Sequence, residues 1–417
     1  MAGTRTKDNL AKRETTRPLT LFFLLLPYGI SSGFASITLP FFLTRAGFSV
    51  ASAAGIVALG VSASVWLFLW GPIVDLTLTP RRWYILAVVV GATTLFLLGI
   101  VPFQKNWAAI LAVMVFVSQI AVTFVVLPMG ALMAYTVPDE AKGRAAGFYQ
   151  AGNLGGNGIG GGLGVWLGVH FSKELAGAAL ALAMIVAASA ILFAAEFRVV
   201  AGFGFRERMR LMGRDLLAML RSPIPLLTLF LITSPIGAGA MNNLWSAVGP
   251  DWHAGANMVA LVTGVLNGIV CALGCVVGGW VADYVGRWWS YFGFGVALAL
   301  AAIIMAFSPW TSTSYAAGVL VYAFFVGTSY AAYSAIVVHA IGRGVASTKY
   351  AICQSLGNIP VAYMTAFDGW VHDRHGGVWM LNGEAFLAFV CVAAGLFALQ
   401  RINARQISVS QAAVVLP

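Results

Sequence analysis

Charged residues are scarce in this chain: they make up 9% of its 417 residues, whereas soluble domains contain about 25%. Hydrophobic residues fill 60% of the chain. A soluble fold of this length could not hide so much apolar surface from water. The composition therefore excludes a water-soluble protein and indicates one that lies in a lipid bilayer.

Acidic residues are the scarcer charged class, with 14 Asp and Glu against 24 Lys and Arg, which leaves a formal net charge of +10. In a soluble chain this excess would suggest a nucleic-acid partner. Its position argues otherwise, because most of the Lys and Arg fall on one predicted face of the membrane. The exceptions are Arg45, Lys105, Lys173 and Arg374. Positive residues concentrate in cytoplasmic loops, so both termini are predicted in the cytoplasm and no nucleic-acid partner is expected.

Cysteine and histidine are also few, with 4 Cys and 5 His. The cysteines lie in apolar segments, and Cys271 and Cys275 share a helix face without a histidine or carboxylate beside them. We expect buried apolar cysteines, with metal or disulfide chemistry as the minority alternative. The sequence shows neither a nucleophile–base pair nor a soluble domain to house one. No metal, no cofactor and no enzymatic activity are therefore expected.

Long apolar runs are abundant. A window of about 20 residues, the length of a helix that crosses a bilayer, finds twelve of them. The predicted spans are 19–43, 51–71, 83–102, 107–130, 145–168, 177–196, 225–247, 255–282, 288–308, 314–341, 350–370 and 380–400. The first run is too long for the core of a secretory signal. The prediction is an all-α polytopic membrane protein with twelve transmembrane helices.

Two short charged signatures repeat about half a chain apart. They are Gly71-Pro-Ile-Val-Asp75 followed by Arg81-Arg82, and Gly279-Trp-Val-Ala-Asp283 followed by Gly286-Arg287. The repeat predicts two pseudo-symmetric six-helix halves, an architecture typical of secondary transporters. The predicted units are a cytoplasmic tail at 1–18, six-helix halves at 19–196 and 225–400, a cytoplasmic linker at 197–224 and a cytoplasmic tail at 401–417.

The predicted linker differs from the spans because arginines alternate with large apolar residues. These arginines are Arg206, Arg208, Arg210, Arg214 and Arg221. The pattern is typical of an amphipathic helix on the membrane surface, with its basic side chains near anionic lipid. A site for a regulatory partner is the alternative.

Several stretches together resemble the major facilitator superfamily. They are Ser31-Ser32-Gly33, Trp66-Leu-Phe-Leu-Trp70 continuing to Asp75, Gly327-Thr328-Ser329, Lys349-Tyr350-Ala351 and Gln354-Ser355-Leu356. Within the superfamily the chain resembles the AmpG-like branch of muropeptide permeases and acetyl-CoA transporters. It is also similar to siderophore permeases of the RhtX/FptX kind. It departs from AmpG in its shorter loop after the second span and in having no spans after the twelfth.

The resemblance implies the major facilitator fold, in which two six-helix halves rock about a central cavity. In that fold the third, sixth, ninth and twelfth spans are peripheral supports. It also implies that the two charged signatures act in gating.

Asp75 and Asp283 each lie at the predicted cytoplasmic end of an apolar helix. A carboxylate there is stabilised by a guanidinium or by the positive N-terminus of another helix. We predict a latch between the halves, from Asp75 to the start of span eleven and from Asp283 to the start of span five. The predicted gating residues are Asp75, Arg81, Arg82, Arg144, Asp283, Arg287 and Lys349. Ordinary helix-end ion pairs without a switching role are the alternative.

Amide side chains are costly in lipid unless they face water or a polar partner, and several lie inside predicted spans. Together with hydroxyls and phenols at helical spacing they predict a polar central cavity. The predicted substrate-binding residues are Tyr28, Ser31, Ser32, Gln119, Gln150, Asn153, Asn157, Asn242, Asn243, Asn267, Tyr330, Tyr333, Gln354 and Asn358. For each residue taken alone, hydrogen bonding between helices is nearly as good an account.

Proline and glycine mark two further features. Pro235, shortly before Gly237 and Gly239, predicts a kink or break in the middle of span seven, and such breaks often mark a binding region. The nine glycines between Gly152 and Gly168 predict close helix crossing at span five. They do not predict a phosphate loop, because no strand precedes them.

Titratable side chains are predicted to be essentially absent from the middle of the membrane. Asp368, towards the outer end of span eleven, is the nearest candidate for proton coupling, with a solvated carboxylate at a helix end as the alternative. His339 is expected to have a packing or interfacial role. A uniporter driven by the solute gradient alone also remains open.

The predicted function is secondary transport. We expect import of a small polar organic solute, muropeptide-like or siderophore-like, across a bacterial inner membrane by rocker-switch alternating access. The alternative substrate is an acyl-CoA or another bulky polar metabolite, and the alternative function is a transporter-like sensor or scaffold that does not transport. The expected partners are the solute, the lipid bilayer and, for a coupled carrier, protons. A monomer is expected.

Overall fold

The computed structural model describes residues 15–195, 205–342 and 345–415. Within these ranges all regular structure is helical, which confirms the all-α prediction. Most of the predicted basic tail, the linker segment 196–204 and Arg343 lie outside the described residues. Helices are labelled α1 to α12 by the predicted span that each occupies.

The first half begins with a long bent helix and contains one clearly interrupted span. Its helices are α1 (Pro18–Arg45), α2 (Val50–Ser62 and Leu67–Leu76), α3 (Pro80–Ile100), α4 (Ala108–Thr136), α5 (Lys142–Gly158 continuing through Ile159–Leu163 to Gly164–His170) and α6 (Lys173–Phe193).

The second half follows the linker helix (Phe205–Arg221) and repeats this arrangement. Its helices are α7 (Pro223–Ile232, then Trp245–Val248 after a break), α8 (Asn257–Val285), α9 (Arg287–Phe307), α10 (Ser312–Ile341), α11 (Ala346–His375) and α12 (Gly377–Val415).

In the described parts of the chain, eight helices are long and apolar enough to cross a membrane, or up to nine if a bent pair counts as one span. The predicted spans outside the eight are α2, α5, α7 and α11. The helix of α2 is interrupted at 63–66 and that of α7 at 233–239. Glycines and polar side chains lower the hydropathy of α5 and α11.

We call the membrane face at which Asp75 and Asp283 lie the basic face, and the other the opposite face. At the basic face one apolar core includes both halves, with Met133 and Tyr149 of the first packed among Val338 and Tyr350 of the second. Towards the opposite face, each half has its own core of buried residues. The halves therefore share one core at the basic face, whereas towards the opposite face each has its own core and contact between them continues along α5 and α8.

Helices α5 and α8 cross closely where the two halves meet. A Cβ atom on Gly147 would lie 2.5 Å from the carbonyl oxygen of Cys275 and 2.9 Å from the Cα of Gly279. Only glycine allows backbones to approach so closely. Gly156, one of the nine glycines noted in span five, crosses α1 as closely, since its Cβ would lie 2.9 Å from the carbonyl oxygen of Leu26, in agreement with the expectation that these glycines serve helix crossing.

Three helices widen into π-helical turns that pack in a row: Phe34–Thr38 in α1, Ile159–Leu163 in α5 and Leu261–Leu266 in α8. Such turns disturb the regular backbone ladder and occur frequently at functional sites. The hydroxyl of Thr38 donates to the carbonyl oxygens of Gly160 at 2.8 Å and Gly161 at 2.9 Å. This hydroxyl ties α1 to α5 within the first half.

Helix α7 is broken in the middle, as the position of Pro235 predicts. Gly237 and Gly239 adopt φ angles of +67° and +65°, a left-handed conformation that only glycine adopts without strain. Both pack tightly on α10, since added Cβ atoms would lie 2.7 Å from the Cβ of Ser329 and 2.9 Å from Val326. The break thus brings irregular backbone against α10.

The linker helix packs under the start of α11. Met212 is buried there, and its sulfur lies 4.0 Å from the hydroxyl of Thr348. Asp215 accepts a hydrogen bond from the N–H of Val345 at 3.4 Å and lies 3.8 Å from the ammonium of Lys349. Met212 therefore anchors the predicted amphipathic helix at the basic face, while its Met209, Leu217 and Leu220 are exposed.

Candidate functional site

Asp283, near the end of α8, contacts the start of α5 in the other half. Its carboxylate accepts from the N–H of Gly143 at 2.6 Å, from the N–H of Arg144 at 3.0 Å and from the Nε of Arg144 at 2.9 Å. The Asp283 side chain is only 7% exposed. Free N–H groups, a positive helix end and a guanidinium all stabilise the charge at this point.

Asp75, near the end of α2, makes the equivalent contact with the start of α11. Its Oδ2 accepts from the N–H of Thr348 at 2.8 Å and from the hydroxyl of Thr348 at 2.7 Å. Gly71, one turn earlier, leaves room for the crossing, since its Cβ would lie 2.8 Å from the Cα of Thr348. Both aspartates thus join the helices that the sequence analysis paired.

The basic partners differ from those expected. Arg287 was predicted beside Asp283, but the ion pair there belongs to Arg144. In the described part of the chain, Nη1 of Arg287 is buried without a hydrogen-bond partner. The physical reason is that Asp283 faces α5, whereas Arg287 follows the turn at Gly286, where φ is +96°, and starts α9.

The other predicted basic residues lie around the same face. Lys349 donates to the carbonyl oxygen of Ile341 at 3.1 Å and neighbours Asp215 of the linker helix. Arg81 and Arg82 line a cavity that also includes Met129 of α4. Lys349 therefore connects α10, α11 and the linker helix.

A second polar layer lies above the latches, towards the middle of the membrane. The Gln150 amide donates to the hydroxyl of Ser334 at 2.6 Å, and the Asn153 amide donates to Gln150 at 3.1 Å. The rings of Tyr149 and Tyr350 meet edge to face with centroids 6.0 Å apart. Gln150 is 2% exposed, so it bridges α5 and α10 in this state and does not face an open cavity.

In the first half, the predicted polar residues of α1 and α4 bond to each other. The Gln119 amide donates to the hydroxyl of Ser31 at 3.1 Å and accepts from Ser32 at 3.4 Å. Gln119 and Ser31 are 7% and 1% exposed. Tyr28 and Asn157 are half-buried near the same helices.

In the second half, the amides of the broken α7 contact α8 and α11. Asn267 donates to Asn242 at 3.3 Å, and Asn243 donates to the hydroxyl of Thr365 at 3.0 Å. The break in α7 thus presents its amides to two neighbouring helices.

A small cavity of ≈ 50 Å³ lies between the α7 break, α10 and α11. It brings together four residues that the sequence analysis assigned to the substrate site, namely Tyr330, Tyr333, Gln354 and Asn358. Gln354 also donates to the hydroxyl of Tyr350 at 2.6 Å. The cavity therefore adjoins the polar layer that joins the halves.

The comparisons with known proteins agree with this architecture. Residues 21–363 match the family described as the Major Facilitator Superfamily. The chain belongs to the Major Facilitator Superfamily. This superfamily comprises secondary transporters, and no curated protein matches the chain. These matches do not single out the AmpG-like branch.

Two solved structures share the superfamily fold with this chain. The human organic anion transporter MFSD10 (TETRAN) aligns with a TM-score of 0.68 at 15% identity, and the match covers 92% of this chain and 99% of that one. The E. coli fucose:proton symporter FucP aligns with a TM-score of 0.66 at 13% identity and covers 91% of this chain and 97% of that one. At these identities the likeness shows the fold alone.

Within this superfamily fold, the sequence analysis named Asp368 as the nearest candidate for proton coupling but missed its acidic neighbour Glu384. Asp368, described as a possible solvated carboxylate at a helix end, is 0% exposed, and Glu384 of α12 is 6% exposed. The hydroxyl of Tyr322 on α10 donates to Glu384 at 2.5 Å. The expectation of essentially no titratable group within the membrane is therefore wrong. Glu384 stands out as a carboxylate inside an apolar run, but α12 had been set aside as a peripheral support.

A second contact that involves a carboxylate lies at the end of α11 that reaches the opposite face. The Nε2 atom of His372 lies 2.7 Å from the carboxylate of Asp251, which follows α7. Both side chains are partly exposed, at 26% and 34%. His372 lies one helical turn beyond Asp368, on the same side of α11.

Proposed function

We propose that this chain carries a small polar organic solute across the membrane by alternating access between its two halves. The observation that carries the proposal is the pair of matched contacts, Asp75 with Thr348 and Asp283 with Arg144. Both lie at the basic face and join opposite halves. In this state the basic face is closed, and rocking of the halves would break both contacts together.

We place the basic face in the cytoplasm. The N-terminal segment reaches this face, where the N–H of Thr16 donates to the carbonyl oxygen of Thr136 at 3.1 Å. The basic residues that set orientation are concentrated there. Both termini are then cytoplasmic. With the basic face closed, the protein faces outward in this state. The membrane we propose is a bacterial inner membrane, as the resemblance to AmpG-like permeases implies.

The proposed substrate is uncharged where it contacts the cavity and rich in hydrogen-bonding groups. Phenols of Tyr330 and Tyr333 and amides of Gln354 and Asn358 supply donors and acceptors without a fixed charge. This chemistry suits a muropeptide-like or siderophore-like solute. An acyl-CoA would bring several phosphate charges, for which the residues lining this cavity offer no cationic partner.

Thermal-shift measurements on the purified protein test the substrate class, using a muropeptide, a ferric siderophore and an acyl-CoA as probes. We expect one of the first two to raise the melting temperature and to enter proteoliposomes that contain the protein. The Asn358→Ala variant should lose most of that shift. Binding without uptake would favour the sensor alternative, and a response to the acyl-CoA alone would overturn the proposed substrate class.

A further inference from the structure

The acidic pair of the second half is not explained by the gates or by the cavity. Both oxygens of Asp368 and the Oε2 of Glu384 are buried without a hydrogen-bond partner among the described residues. The two carboxylates interact electrostatically with each other. Around them lie large apolar side chains, among them Trp245 and Met380.

Two ionised carboxylates could not persist in this place. Transfer of an unpaired carboxylate from water to a protein interior costs several kcal/mol, and like charges at short range repel in addition. The hydroxyl of Tyr322 satisfies one oxygen of Glu384 only. One further cation must therefore be held by the pair.

We propose that Asp368 and Glu384 share one exchangeable proton, and that this proton couples solute movement to the proton gradient. The coupling part of this proposal rests on the proposed transport function, whereas proton binding does not. The proton forms an O–H bond on one carboxylate and leaves the other carboxylate as its hydrogen-bond acceptor. On release it returns to water, and both carboxylates are then charged.

A proton fits this place better than a metal cation. A sodium ion needs several oxygen ligands and room for them, whereas the oxygen ligands described at the pair are the two carboxylates and a phenol that is already donating. The indole N–H of Trp245, which packs on Tyr322, is buried without a partner among the described residues, and as a donor it cannot bind a cation. No group of three or more His, Cys, Asp or Glu that could hold a metal lies within the described residues. The proton requires no such shell.

A route for this proton starts at the opposite face. The titratable groups that surround the pair are Tyr322 on α10 and, one turn along α11, His372 with its partner Asp251. His372 is partly exposed, and its Nε2 atom lies 2.7 Å from Asp251, so a polar contact joins the end of α11 to solution. In the closed-latch state the pair is therefore supplied from the opposite face.

Helix α11 connects the pair with the latch. Thr348 binds Asp75 near the start of α11, and Asp368 lies about 30 Å further along at 1.5 Å per residue. Pro360 interrupts the backbone ladder between them. Loss of the proton would charge the pair, disfavour its burial and shift α11, which is the helix that must move when the latch opens.

Infrared difference spectroscopy on the purified protein in lipid nanodiscs tests proton binding directly. Spectra are recorded between about pH 5 and about pH 9, on either side of neutrality, and the carboxylic-acid C=O stretch reports each buried protonated carboxyl. We expect a wild-type band that changes in frequency in Asp368→Asn and in Glu384→Gln, where one buried carboxyl remains, and that is lost when both substitutions are combined. Asp373→Asn, whose carboxylate is 84% exposed, is the matched control and should keep the band.

Tyr322→Phe provides a variant that keeps both carboxylates. Removal of the hydroxyl that donates to Glu384 should shift the frequency of the band without abolishing it. Absence of the band in the wild type, its persistence in the double variant, or an unchanged band in both single variants would overturn the proposal. A band that disappears when sodium replaces N-methylglucamine at constant pH would assign the site to sodium and reject the proton.

A transport assay then distinguishes proton binding from proton-coupled transport of the solute. In proteoliposomes with the identified solute, a pH gradient should accelerate wild-type uptake at least fivefold, while Asp368→Asn should exchange solute at equal concentrations but ignore the gradient. Gradient-driven uptake in Asp368→Asn would reject coupling through this pair. A wild-type protein that shows the band but moves no solute in any assay would reject the transport function and leave the proton site standing.

Discussion

The two inter-half contacts use different chemistry at equivalent positions. Asp283 binds a charged side chain together with two N–H groups, whereas Asp75 binds the N–H and hydroxyl of a neutral threonine. Salt screens an ion pair at a partly exposed site but weakens a hydrogen bond from a neutral donor much less. The two repeated aspartates therefore make contacts at equivalent positions between the halves, but each binds a different kind of side chain.

Asp75→Asn and Asp283→Asn should weaken closure of the basic face. Each hydrogen bond to a charged group contributes about 1.5–3 kcal/mol. Loss of one such bond should therefore raise the population of the state that is open at the basic face by about tenfold or more. We expect a changed rate of uptake in proteoliposomes with a smaller effect on affinity. Glu174→Gln is the control, because that exposed residue lies at the start of α6, on the opposite face, and pairs with Lys173 at 3.1 Å. Wild-type turnover in both latch variants would refute a gating role.

Asn358→Ala and Gln354→Ala should weaken solute binding, because both amides line the cavity. Loss of one hydrogen bond of about 1.4 kcal/mol corresponds to a tenfold weaker affinity. Isothermal titration with the identified solute measures the effect. The control is Asn382→Ala, an amide on α12 that donates to the carbonyl oxygen of Val378 in its own helix. Equal affinities in all three variants would move the binding site elsewhere.

Among the helices, α7 and the linker helix depart most from a straight span. The break in α7 depends on two glycines with positive φ, and the linker helix depends on a single buried methionine and one acidic contact. Each element therefore offers a change that tests its contribution to the second half.

Gly237→Ala should destabilise the protein, because a Cβ atom is strained at φ +67° and would lie 2.7 Å from the Cβ of Ser329. A left-handed conformation costs an L-residue about 1–2 kcal/mol, and the clash adds to this. The melting temperature of the purified protein should fall. Gly213→Ala on the linker helix meets nothing within 4 Å and should be neutral or mildly stabilising. A Gly237→Ala protein as stable as the wild type would contradict the described backbone.

Asp215→Asn should loosen the linker helix from α11, because this carboxylate binds the N–H of Val345 and neighbours Lys349. We expect faster proteolysis within 205–221 and a modest change of uptake rate, since a partly exposed ion pair contributes about 0.2–1 kcal/mol. Glu207→Gln on the same helix is the control. Equal digestion of the wild type and Asp215→Asn would show that the contact does not hold the helix.

On the scale of the whole molecule, orientation can be tested from outside the cell. Arg45 ends α1 at the opposite face, whereas Arg221 ends the linker helix at the basic face. A membrane-impermeant thiol reagent should label Arg45→Cys in intact cells and Arg221→Cys only after lysis. The native Cys391 is partly buried, so the unsubstituted protein gives the background. Labelling in the reverse order would invert the proposed topology.

Sequence alone predicted the all-helical fold, the break in α7 and the helices that the two aspartates join, because helix length, proline and repeated carboxylates act locally. It did not predict which side chains complete each contact. Arg144 and Arg287 are equally basic in the sequence, and only the packing of α5 on α8 selects the first. Likewise, Gln150 and Gln354 look equivalent, yet one bridges the halves and the other lines the cavity. The pairing of Asp368 with Glu384 was missed because the two come together only through the packing of α11 on α12.

Two spans of low hydrophobicity have a consequence for biogenesis. A translocon releases a segment into lipid according to its own hydrophobicity, and α5 and α11 offer weak signals because glycines and polar side chains fill them. These segments must be retained beside the translocon until neighbouring helices emerge to shelter them. A ribosome-bound nascent chain that ends after α5 should therefore remain extractable by alkali, whereas one that extends through α8 should resist extraction.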